Sequence, residues 1–320
     1  MPHQNDEIRS YAHYDNEILK LAKLLVELGI EVDFDSDLNK QIYSAFRALY
    51  YSVYANECPE DWDRAQDAGA LAGLGDLAFK INRAVAAAGV DALCPHLRSM
   101  VEGAVRMNAQ SSVLDANANK NCELYVGCLA LGAGLVVDLE DPVKSAGGSN
   151  PDVLLKFRQK DWSIAVKASQ VFKPPTIFGA ISSGVGQIER AQRPGVVIVN
   201  VKNILDHKKL ISDGPYPTPD AAVEAVCAAI DTIKDAVRAN IVDQDWDDLF
   251  RGKYARPLIG FLGQVTVPAM LPVVGRIFVP VKAMRILRVY DALPNLEGLN
   301  EEAGHLFDAL NHELQRNSSS

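Results

Sequence analysis

Hydrophobic positions recur with a helical period through the first third of this chain, and strand-like runs take over after residue 134. Ile18, Leu21, Leu24, Leu25 and Leu28 lie on one helical face and stop at Gly29, a natural helix end. Lys40 to Ala55 carries Ile42, Phe46, Leu49, Tyr50 and Val53 on one face. Trp62 to Val90 is rich in Ala and Leu, and Gly69, Gly73 and Gly75 within it suit close helix packing. Pro95 fits the first turn of a helix running toward Met107. The polar run from Gln110 to Lys120 then marks a boundary, so residues 1–110 read as a helical module.

Beyond it a helix is expected over 121–134, with Leu124, Cys128, Leu131 and Leu135 as its apolar stripe. Glu123, Gly127, Ala130 and Gly134 form a neighbouring stripe of small residues with one acid at its start, which lets the helix lie close to a sheet. A strand at 135–139 is followed by a turn at Glu140–Asp141–Pro142 and a Gly/Ser loop to Asn150. A hairpin follows, with strands at 152–158 and 161–168. Placing its tip at Gln159–Lys160 sets Phe157 opposite Trp162, Leu155 opposite Ile164 and Asp152 opposite Lys167, on one face. Next come a helix over 177–192 and a strand at 195–201 so apolar that it must be buried on both faces. A long alanine-rich helix spans 221–239, a further strand lies at 258–267, and a C-terminal helix covers 301–314. This order predicts an α/β fold: a helical N-terminal region, an α/β domain over 119–268, and an extension over 269–320 packing on the core.

Composition narrows the class. At 48% hydrophobic and 23% charged, the chain has the balance of a soluble globular protein. No apolar run reaches the length of a membrane span and no secretory signal opens the chain, so a cytoplasmic location is expected. The five cysteines are dispersed and never spaced as CxxC, which argues against disulfides and a zinc site. A net charge of −9 excludes a general nucleic-acid coat. The stretch from 144 to 173 departs from that total: Lys144, Lys156, Arg158, Lys160, Lys167 and Lys173 stand against only Asp152 and Asp161. Lys144, Lys156, Arg158 and Lys173 are therefore candidates for nucleic-acid contact.

Other chemistry is thinly signalled. Gly132-Ala133-Gly134 precedes a strand, the wrong order for a dinucleotide fingerprint, and no phosphate-binding GxxxxGK[ST] loop occurs. His96 and Glu102 on the fourth helix, and His207 beside Lys208 and Lys209, read as cap or surface residues.

Glu123 on a helix, Pro151-Asp152 at a strand start and Ala165-Val166-Lys167 on the next strand then stand in one order, with Gln187-Ile188-Glu189 on the following helix. This set, over about residues 119–202, resembles the PD-(D/E)XK nuclease superfamily. The resemblance implies a restriction-endonuclease-like core, a mixed sheet flanked by helices. It implies a Mg²⁺-dependent endonuclease, with Mn²⁺ as substitute, hydrolysing phosphodiester bonds in nucleic acid, DNA before RNA. Asp152 becomes the main metal ligand, Lys167 the catalytic cation, and Glu123 a ligand or an orienter of the nucleophile. One departure is plain: the superfamily's second acid belongs at position 165, and alanine binds no metal. Glu189 is the expected replacement, with Gln187 its rival; Asp138 and Asp141 are further candidates. Two alternatives stay open: a nuclease-like protein that binds nucleic acid or regulates without cutting, and a helical protein-interaction scaffold. The N-terminal helices are in either case candidates for a homodimer contact or a protein partner.

Overall fold

The structure, a computed structural model, describes residues 11–53, 59–111, 116–142, 150–272, 275–289 and 298–316. Among them, a six-stranded mixed sheet carries its strands in sequence order. The strands are β1 (Val136–Leu139), β2 (Val153–Phe157), β3 (Lys160–Ala168), β4 (Gly195–Asn200), β5 (Ala255–Leu271) and β6 (Gly275–Arg288). β1, β2 and β3 form an antiparallel meander, β3, β4 and β5 run parallel, and β6 returns antiparallel along β5. The α/β expectation holds. The apolar run at 195–200 is fully buried and lies between two parallel neighbours.

Helices cover both faces. On one lie α3 (Arg64–Ala88), α5 (Ala116–Gly132) and α10 (Leu299–Gln315), backed by α1 (Tyr11–Glu27), α2 (Asp37–Val53) and α4 (Cys94–Met100). On the other lie α6 (Pro174–Ala191) and α8 (Pro219–Asn240), with the short α7 (His207–Ser212) and α9 (Asp243–Leu249). Ile164, Val196 and Ile198 point into the first core; Ala165, Val197 and Val199 point into the second. The alternation is that of a strand buried on both sides.

The first core runs without a break from Ile18 on α1 to Leu314 on α10, so the N-terminal helices share it with the sheet. Polar contacts tie the same parts together. Asp76 of α3 pairs with Lys282 of β6 at 2.7 Å and accepts the Tyr125 hydroxyl of α5 at 2.6 Å. Lys80, also on α3, donates to the Arg316 carbonyl at 2.7 Å and so caps α10.

Close approach of α5 is a matter of sequence. A Cβ at Gly127 would lie 2.5 Å from Leu139 Cδ2, so glycine lets the helix rest on β1 at that level without displacing the leucine.

The hairpin corrects the expected register. Its tip is Arg158–Gln159, with φ of +48° and +66°, the left-handed pair that a two-residue hairpin turn requires. Leu155 therefore faces Trp162 rather than Ile164, and Phe157 faces Lys160. The slip is two residues, an even number, so every side chain keeps its predicted face. Asp152 is not directly opposite Lys167; the two are diagonal neighbours.

Candidate active site

The β2–β3 ladder ends at Val153↔Ile164, while β3 continues to Ala168. Past that point the backbone of β3 has lost its partner on the β2 side. Asp152 fills the gap: its Oδ2 accepts the N–H of Val166 at 2.7 Å, as a strand carbonyl would, and holds Lys167 Nζ at 3.3 Å. The Asp152 side chain is 4% exposed and that of Lys167 is 17% exposed, so the ion pair is largely withdrawn from water but reachable.

Glu123 comes to the same place from α5. Its Oε2 receives Lys120 Nζ, one helical turn earlier, at 2.9 Å. Burial first, and then the nearby Asp152 charge, push the Glu123 carboxyl up to about 7, despite the opposing pull of Lys120 and Lys167. Burial pulls the Lys120 ammonium down, but Glu123, Asp152 and Glu140 together hold it above its ordinary value. Neighbouring Cys122 is a deeply buried thiol, pushed up to about 12 by burial, and is inert.

Three residues singled out from sequence thus meet at one edge of the sheet: Glu123, Asp152 and Lys167. Lys120 joins them and was missed, although its spacing of three from Glu123 on one helix is an ordinary ion-pair signal. Glu140, read from sequence as a turn residue, was missed as well. Its N–H donates to the Asp152 carbonyl at 3.2 Å, and both its carboxylate oxygens are buried without a hydrogen-bond partner among the described residues.

The helix after the hairpin does not complete the site. Glu189 lies at the far end of α6, where its carboxylate accepts the backbone N–H groups of Lys253, Tyr254 and Ala255 at 3.1, 2.8 and 2.7 Å. It caps the start of β5, so its expected metal-facing role is not met. Gln187 is buried, but α6 packs Gly184 against Ala165 and runs back toward the start of β3. Gln187 is thus about 4.5 Å further along the helix in one direction, and Lys167 about 6.6 Å along the strand in the other.

Ala165 itself is 0% exposed and belongs to the second core, walled by Gly184 and Val197. Asp138 is exposed on β1. His96 is buried rather than a surface residue, and burial lowers its pKa to about 4. His207 is buried too, with Nε2 2.7 Å from the Lys202 carbonyl oxygen.

The basic candidates divide. Lys144 lies outside the described residues. Lys156 and Arg158 are exposed near the hairpin tip, at the opposite end of β2 from Asp152. Exposed Lys173 stands at the N-terminal boundary of α6, at the site's end of β3, and its side chain makes no capping bond.

The donor set suits a hard divalent cation. Asp152 and Glu123 are oxygen donors that could hold such an ion, and their mutual repulsion in a buried setting is what it would relieve. Among the described residues, no three His, Cys, Asp or Glu side chains form a group that could hold a metal ion. No helix among the described residues is long and apolar enough to cross a membrane. No family model, curated protein or solved structure matches the chain.

Proposed function

We propose that the protein is a Mg²⁺-dependent nuclease, acting on DNA through a restriction-endonuclease-like core. The observation that carries this reading is the meeting of Glu123, Asp152 and Lys167, from three elements, at the edge where β3 outruns β2. The order helix, three antiparallel strands, crossover helix, parallel strand supports the core assignment. The described cysteines are unpaired thiols, which suits a cytoplasmic setting.

Asp152 is oriented by its bond to the Val166 amide, so its second oxygen and Glu123 offer the ligands for the ion. A bound Mg²⁺ would polarise the phosphate and lower the pKa of the attacking water. Lys167 neutralises charge developing on the phosphoryl oxygens, at a distance fixed by its pairing with Asp152. Lys120 fixes the rotamer of Glu123. Lys173, at the site's end of β3, contacts the phosphate backbone on the way in. The test is cleavage of DNA by the purified full chain with Mg²⁺ or Mn²⁺, lost in Asp152→Asn and Lys167→Ala.

A second reading rests on the two lysines. Lys120 and Lys167 already balance Glu123 and Asp152, and position 165 has no acid. A nuclease-like protein that binds nucleic acid without cutting it would look the same; it would bind DNA without a divalent ion and leave it intact.

A further inference from the structure

The vacancy at position 165 raises the question of which group supplies the second acid, and the helix-borne candidates point elsewhere. β1 answers it. The bond from the Glu140 N–H to the Asp152 carbonyl extends the β1–β2 ladder one pair beyond Leu139↔Val153. Glu140 therefore stands opposite Asp152. Opposite residues of an antiparallel pair share a face, with Cβ atoms about 5 Å apart. Alternation along β1 agrees: Val137 and Leu139 pack into the core under α5, so Glu140 turns to the other side, as Asp152 does relative to Val153.

The Glu140 carboxylate is in an unusual state. Both oxygens are buried and neither has a hydrogen-bond partner among the described residues, an arrangement that costs free energy unless a ligand or water meets them. Its charge also bears on Lys120, the ammonium that holds Glu123. Asp138, two residues earlier along β1, is exposed, and Glu189 is engaged at β5. Asp141, the next residue along, bears on His96; of these acids, Glu140 is the one paired opposite Asp152.

We infer that Glu140 is the site's second acid, standing beside Asp152 on the β1 side where Ala165 leaves none on the β3 side. Its carboxylate accepts a hydrogen bond from the attacking water. As the water oxygen forms its bond to phosphorus, the water proton passes to Glu140. The bond from phosphorus to the leaving oxygen breaks, and that oxygen is protonated from solvent. This assignment rests on the nuclease reading above and adds to it the residue that activates the nucleophile.

The experiment compares the full-length protein with Glu140→Gln and Asp152→Asn by Mn²⁺ calorimetry, DNA cleavage and the melting temperature without metal. Glu140→Gln is expected to cut about 10²-fold more slowly or worse, and to bind Mn²⁺ about tenfold more weakly. Its metal-free melting temperature should not fall, because no side-chain hydrogen bond to a described residue is lost. Unchanged cleavage and Mn²⁺ affinity in Glu140→Gln, while Asp152→Asn loses both, overturns this inference alone. An unaltered protein that neither binds Mn²⁺ nor cuts DNA overturns the nuclease reading and this inference with it. If Glu140→Gln fails to fold, Glu140→Asp keeps the charge but withdraws it by one methylene; it should cut at least about tenfold more slowly, and an unchanged rate overturns the assignment.

Discussion

The carboxylate of Asp152 bonds the backbone amide of Val166 at 2.7 Å, taking the place of a strand that has turned away. One side chain thus repairs the sheet edge and, through the same Oδ2, holds Lys167 Nζ at 3.3 Å. The two tasks separate by substitution. Asp152→Asn keeps an oxygen for the amide and removes the charge, so it should abolish cleavage with little change in stability. Asp152→Ala orphans a buried N–H as well and should cost about 1–3 kcal/mol. Urea unfolding beside a cleavage assay checks both; equal stability of the two variants contradicts the edge role.

The pH dependence follows from Glu123, which keeps its proton up to about 7 in the fold, against about 4.5 as an ordinary carboxyl. Between those values the folded protein binds more protons than the unfolded chain, so this group makes stability fall as pH rises through the window. A divalent ion competes with the same proton. Mn²⁺ should therefore raise the melting temperature more at about pH 8 than at about pH 5.5, and Glu123→Gln should flatten that difference. A larger Mn²⁺ effect at the lower pH has the wrong sign.

Glu189 serves stability. Removing its carboxylate leaves three backbone amides of the β5 start without their acceptor. Glu189→Ala should cost about 1–3 kcal/mol, while cleavage per folded molecule stays within a factor of about two. A large loss of activity in a stably folded Glu189→Ala protein would return this residue to the site.

Much of this was legible in the sequence. The helices and strands around the site fell where periodicity put them, because each buries one face or both. Glu123, Asp152 and Lys167 could be grouped from sequence because their elements are consecutive. What was hidden depends on distances between elements. Periodicity alone does not report that Arg158 and Gln159 adopt left-handed backbone and slip the hairpin by two. Nor does it report that α6 carries Glu189 past the sheet's start to cap β5. Glu140 lay concealed beside an Asp-Pro turn signal, and its standing emerges only from the β1–β2 pairing. The N-terminal helices looked separable in sequence because the polar run before α5 hides how α3 packs on the sheet.

Ala165 gives a counterintuitive prediction. Placing an acid there by Ala165→Glu should not raise activity, because the position is 0% exposed against Gly184 and Val197. An unpaired buried charge at that point should cost about 3–5 kcal/mol. Thermal unfolding of the variant checks it, and a stable, more active Ala165→Glu protein contradicts the packing described here.

The most direct measurement is a cleavage assay of the unaltered protein and Lys167→Ala on single- and double-stranded DNA, with Mg²⁺ and with a chelator. Mg²⁺-dependent cleavage by the unaltered protein, falling by about 10²-fold or more in Lys167→Ala, is the predicted result. Intact DNA under every condition, or cleavage that survives Lys167→Ala unchanged, contradicts the account.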